Sequence, residues 1–112
     1  MRNFFAALLI VFSVSALAAT PPKLNEKLLR EAMESHLKDS DSAKFRSVRY
    51  LPGDAGGLWQ MCGEVNAKNS FGGYVGFTRF FGVVTKDSKS PPYYIVMAVG
   101  ETADTMCVKS GF

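Results

Sequence analysis

Between Leu24 and Leu37 the apolar residues fall at Leu24, Leu28, Leu29, Ala32, Met33 and Leu37, a single stripe at helical period. Charged residues occupy the other face, where Glu26 to Arg30 and Glu34 to Lys38 stand four apart in the favourable order. The pattern predicts one amphipathic helix whose stripe packs on another element. Asp39-Ser40-Asp41-Ser42 then breaks it, because these side chains compete for backbone hydrogen bonds. Ser40 or Asp41 is expected to cap a short turn that tucks Phe45 beneath the helix.

The rest of the chain changes to period two. Ser47 to Leu51 reads as a short strand ended by the turn cluster Pro52-Gly53-Asp54-Ala55-Gly56-Gly57. From Leu58 to Asn66, Trp59, Met61, Gly63 and Val65 alternate with Leu58, Gln60, Cys62, Glu64 and Asn66, predicting a half-buried strand. Tyr74 to Thr85 is apolar on both faces apart from Thr78 and Arg79, and reads as a central strand. Gly76 and Gly82 inside it suggest a bend or bulge. Lys86 to Pro92 forms a polar connection and Tyr93 to Val99 another strand, after which Gly100 to Asp104 turns the chain. Met106-Cys107-Val108 then returns to the sheet. Consecutive strands with short links imply a meander. The expected fold is therefore α+β, with one N-terminal amphipathic helix packed on an antiparallel meander of about four strands and one disulfide.

The N-terminus follows a different logic. Met1-Arg2-Asn3 precedes an uncharged run from Phe4 to Leu17, and Ala16-Leu17-Ala18 is an A-x-A cleavage signature. The run is shorter than the about 20 apolar residues a bilayer-spanning helix needs. Residues 1–19 are expected to be a signal peptide cleaved after Ala18 or Ala19, leaving 20–112 as a single small domain with no transmembrane segment. A periplasmic or secreted location follows, with the choice between them open.

That location gives the cysteines their meaning. An even count in an oxidising compartment, Cys62 and Cys107, predicts one disulfide. Charge adds little. Loss of Arg2 takes 13 basic residues to 12 against 10 acidic, a net +2. This excess is too small for a nucleic-acid partner.

Catalytic chemistry finds little purchase. His36 is the only histidine, no G-x-S-x-G elbow is present, and both cysteines are committed to a bridge. No phosphate-loop lysine followed by Ser or Thr accompanies the glycine-rich stretches, and two cysteines with one histidine do not make a zinc site. No catalytic residue, metal site or cofactor is expected. Glu64, on a strand short of charge, is read as a cross-strand partner of Arg79 or Lys68. More informative is the segment Cys62 to Phe77, where two strands meet at a turn through Lys68 to Gly73. Asn66, Lys68, Asn69, Phe71 and Tyr74 interleave polar and aromatic groups there. A large apolar residue at a turn tip either folds back into the core, the favoured outcome here, or docks on a partner.

This segment, with Ser42-Ala43-Lys44-Phe45-Arg46 upstream, resembles a family of small exported bacterial proteins, some associated with prophages. In that family an SAKFR-like stretch precedes a CGEVNAKNSxGGYxGF-like hairpin, and the resemblance covers residues 37 to 81. It implies the bacterial envelope and a shared fold in which Cys62 is bridged, and it brings no activity. The combined expectation is a small, non-catalytic protein-binding module of the envelope, inhibitor- or immunity-like. The five residues from Asn66 to Tyr74 would be its contacts. The alternatives are a self-assembling structural or phage-encoded envelope-modifying protein and, least favoured, a small carboxylate-dependent hydrolase. Oligomeric state stays open.

Overall fold

The computed structural model describes Ile10, Val11 and residues 20–112. The expected signal peptide and its cleavage point lie, but for Ile10 and Val11, outside the described residues. The elements run in the order α1 (Glu26–Ala32), a 3-10 turn (Ser40–Ser42), β1 (Lys44–Pro52), β2 (Leu58–Asn66), β3 (Thr78–Asp87), β4 (Ser90–Val99) and α2 (Glu101–Lys109). The strands form one antiparallel sheet in sequence order, β1-β2-β3-β4.

Helix α1 starts where Asn25 accepts the Leu28 N–H on its side chain at 3.1 Å. It is shorter than the stripe that predicts it. Met33 takes over as its C-terminal cap, and a helical turn carries the chain on, with Leu37 N–H bonded to the Met33 carbonyl at 3.0 Å. The stripe still does its packing, since Leu29 and Met33 are fully buried and Leu24, Leu28, Ala32 and Leu37 lie against the same core. Of the two helical ion pairs, Glu26–Arg30 forms at 3.0 Å. Glu34 and Lys38 lie past the helix end and form none among the described residues. The following turn is capped by Asp39, not by Ser40 or Asp41: its carboxylate accepts the Ser42 N–H.

Strand β2 buries the apolar set. Trp59, Met61 and Val65 join Phe80 and Val84 of β3, Tyr94 and Val96 of β4, and Leu29 and Met33 of α1 in one core. Phe45 stands edge-on to Phe80 with centroids 5.9 Å apart, as a residue beneath the helix should. Gly63 is required by this packing, because a Cβ there would come within 2.8 Å of the Phe80 ring. At Gly82 a Cβ would run into the Ile95 carbonyl. The sheet accommodates that approach with the expected irregularity: Phe81 pairs with Ala98 but Gly82 with Val96, so β4 carries Met97 as an extra residue.

The C-terminus departs from expectation. Residues 101–109 form a second helix, not a turn and a returning strand. Ala103 and Cys107, four apart, are both fully buried against Cys62, Phe81 and Ala98 on the sheet face opposite α1. Cys62 and Cys107 are disulfide-bonded, with Cα atoms 6.0 Å apart. The sheet is thus covered on one side by α1 and on the other, in part, by a covalently attached α2. Among the described residues no helix is long and apolar enough to cross a membrane.

The strand expected from Tyr74 starts only at Thr78. Residues 67–77 instead make a long excursion between β2 and β3, held by an isolated bridge between Lys68 and Tyr74.

Candidate functional site

In an antiparallel ladder, residues directly opposite share a face, and alternate residues along a strand do too. Cys62, Glu64 and Asn66 of β2 therefore define the disulfide face. Their partners on β1 are Arg49, Arg46 and Lys44. On β3, Arg79 is opposite Glu64. Beyond Asn66, Lys68 lies with its ammonium 5.7 Å from the Tyr74 ring centroid, and Lys44 approaches the same ring at 4.5 Å. Five cations thus share this face with two carboxylates, Glu64 and Asp104, a local charge of 5 − 2 = +3. Residues 20–112 sum to only 12 − 10 = +2. The local excess is thus at least as large as that of the whole 20–112 segment, a concentration of positive charge on one face.

At one end of the face is the excursion that the sequence singles out. Asn69 builds its tip: its side-chain oxygen accepts the N–H groups of Phe71 at 2.9 Å and Gly73 at 3.2 Å. The Asn69 N–H donates to the Gly73 carbonyl at 2.8 Å. Asn66 fixes the return by accepting the Gly76 N–H at 3.1 Å. The Tyr74 hydroxyl donates to the Ser42 carbonyl at 3.0 Å, tying the loop to the turn before β1. Ser42 in turn accepts the Lys68 N–H on its hydroxyl at 2.8 Å. Asn66 and Asn69 are thus scaffolding, and Lys68 and Tyr74 stack on one another at the loop base. Phe71 does not fold back. Its side chain is 96% exposed, with Val75 at 71% and Tyr74 at 41% beside it. The favoured fold-back reading of Phe71 is overturned because the Asn69 turn closes on its own backbone and leaves the ring outside it.

In the middle of the face is a group that the sequence reading missed. Between Arg46 and Arg49 the β1–β2 register shifts, so that Ser47 and Val48 together oppose Gly63. Ser47 sits at φ 53°, the one non-glycine residue with a positive φ among those described. The bulge opens a hollow of about 410 Å³ lined by Ser47, Arg49, Cys62, Gly63, Glu64 and Arg79. Glu64 stands opposite Arg79 across the strands, as the sequence reading had it, but its ion pair is with Arg46 of β1 at 3.0 Å, and Lys68 is drawn to the Tyr74 ring. Arg79 turns instead to Asp104 of α2 at 3.5 Å. Arg46 also lies over Phe77, its guanidinium carbon 3.8 Å from the ring centroid, and so joins the hollow to the foot of the loop. Arg49 stands over the Phe112 ring at 5.8 Å and has no ion pair among the described residues. The clue was available, as Lys44, Arg46 and Arg49 crowd one short strand. Without the bulge, however, their spacing does not place them on one face.

His36 is exposed, and its Nε2 lies 2.9 Å from the Val96 carbonyl oxygen. A carbonyl only accepts, so Nε2 carries the proton and the imidazole braces β4. No grouping of three or more His, Cys, Asp or Glu side chains suited to a metal ion occurs among the described residues. Compared with protein-family models, with curated proteins and with solved structures, the chain finds no match in any of the three.

Proposed function

We propose that this chain is a small, exported, non-catalytic module of the bacterial envelope that binds another protein through the 67–77 loop, inhibitor- or immunity-like in its action. The observation that carries the reading is the rigidly presented Phe71. An aromatic side chain that is 96% exposed at a tip braced by four Asn69 hydrogen bonds has no packing role to explain it. Preorganised aromatic anchors ringed by charge are what protein-binding hot spots are made of. Lys44 and Lys68, both against the Tyr74 ring at the loop base, bring positive charge to the same loop and favour an acidic partner surface.

The test is capture by the immobilised, disulfide-bonded protein from a periplasmic extract, followed by titration of the purified captured protein. Wild type should bind saturably, and Phe71→Ala should lose at least tenfold in affinity while its thermal midpoint stays put. Equal affinity of the two for the same protein removes the reading.

Self-assembly is the second reading, and it has an observation in its favour. Strand β4 is a sheet edge carrying no charged residue, and Tyr93, Ile95 and Met97 on it are exposed. Against it, Pro91 and Pro92 deprive the edge of two donors, and His36 occupies the Val96 carbonyl. Light scattering over a wide concentration range separates the two, since an assembler must gain mass. A Glu64-dependent hydrolase draws the least support, because that carboxylate is already paired with Arg46. Peptidoglycan turnover that disappears in Glu64→Gln would restore it.

A further inference from the structure

We infer that the hollow formed by the β1 bulge is a carboxylate-binding site, with Arg49 as the recognition residue and an acidic peptide segment as its ligand. The guanidinium carbon of Arg49 lies 5.8 Å from the Phe112 ring centroid. A cation–π contact consumes no N–H donor, and Arg49 forms no ion pair among the described residues, so its N–H fork stays unspent, the group that matches a carboxylate with two parallel hydrogen bonds. The other two arginines around the hollow are already engaged, Arg46 with Glu64 and Arg79 with Asp104. Arg49 alone has no anionic partner among the described residues, and it lines a cavity large enough for a side chain to enter.

The bulge that makes the cavity is maintained at a cost. A serine at φ 53° is held in a region that penalises side chains, and such outliers persist where surrounding structure imposes them. Without the extra residue, Arg46 and Arg49, three apart, would fall on opposite faces of a regular strand, and Arg49 would not line the hollow on the face that carries Glu64. Glu64 selects among anions. Its carboxylate on the wall tolerates one further negative charge facing Arg49, whereas a doubly charged phosphate would be repelled more strongly.

The site does not depend on Phe71, so it stands or falls separately from the loop. The experiment uses the disulfide-bonded protein and follows the arginine Nε–Hε signals by nuclear magnetic resonance. Three probes are titrated: an acetylated, amidated Glu-Gly-Glu-Gly-Glu peptide, its glutamine counterpart, and inorganic phosphate. The expected result is saturable movement of the Arg49 signal with the glutamate peptide alone. Arg49→Gln should weaken that binding about tenfold or more, judged from the Arg79 signal. Arg49→Lys keeps the charge, loses the fork, and should fall in between. Lys89→Gln removes the same charge on the distant β3–β4 turn and should leave binding within about twofold. Three outcomes overturn the proposal: equal response to glutamine and glutamate peptides, equal losses in Arg49→Gln and Lys89→Gln, or tighter saturation by phosphate than by the peptide.

Discussion

Cys107, near the end of α2, is bonded to Cys62 in the middle of β2, and the bond passes on the face of the sheet that α1 does not cover. Both sulfur-bearing residues are almost wholly buried, together with Phe81, Ala98 and Ala103. This second core is small, so the bond carries much of the attachment of α2.

The first prediction concerns that attachment. The bridge spans a sequence separation of 45. Loop-closure reasoning gives a bridge of that span about 4 kcal/mol, a large share of the total for a small domain. Reductant, or a paired Cys62→Ala and Cys107→Ala replacement, should lower unfolding free energy by about 2–5 kcal/mol in urea titrations. An unchanged midpoint would show that α2 docks without help.

Ser47 supplies the second. Glycine adopts positive φ without penalty, so Ser47→Gly should raise stability by about 0.5–1 kcal/mol, an unusual direction for a replacement by glycine within a strand. Ser47→Val should do the reverse. A thermal midpoint that falls in Ser47→Gly would mean that the hydroxyl outweighs the strain.

Gly82 gives the third. A Cβ there would collide with the Ile95 carbonyl, a backbone atom that moves only if β4 moves, and would lie 3.2 Å from Met61 as well. Gly82→Ala should cost about 1–3 kcal/mol. Phe80→Ala, emptying a fully buried ring site, should cost about 3–5 kcal/mol. By contrast, Phe71→Ala should stay within about 0.5 kcal/mol of wild type.

The fourth prediction turns on Tyr50. Its hydroxyl is buried without a hydrogen-bond partner among the described residues. Burial first, and the neighbouring Tyr94 phenol second, push the Tyr50 hydroxyl well above the usual tyrosine range. The folded state therefore holds this proton more tightly than the unfolded chain does. Stability from Tyr50 is full below the ordinary tyrosine value of about 10 and drains away as pH climbs above it. Tyr50→Phe should be neutral or mildly stabilising at pH 7 and should flatten the alkaline loss. Guanidinium titrations at pH 7 and pH 11 on both proteins check the two halves of that statement.

Much of the architecture could be read from the residues because periodicity is a direct consequence of burial. The bounds of β2 agree to the residue, since Trp59, Met61, Gly63 and Val65 alternate cleanly. The stripe from Leu24 to Leu37 names the residues that α1 and its following turn bury. What misled was apolar composition without period. Tyr74, Val75 and Phe77 look like strand residues, yet Gly76 at φ 102° takes the chain out of the sheet there. Helix α2 carried a legible signal in Ala103 and Cys107 four apart, with Glu101 at its start and Lys109 at its end. Its shortness and its threonines let a turn seem sufficient. At the site, the aromatic loop was visible as a cluster of residue types. The Arg49 hollow was not, because it depends on a one-residue slip of register that no local pattern announces.

The bond between Cys62 and Cys107 also changes what kind of object the polymer is. Once it closes, the stretch from one to the other is a covalent ring with a free tail leading into it, and the whole can no longer be drawn out as a single thread. A narrow pore that admits only an extended chain can pass this protein before oxidation and not afterwards.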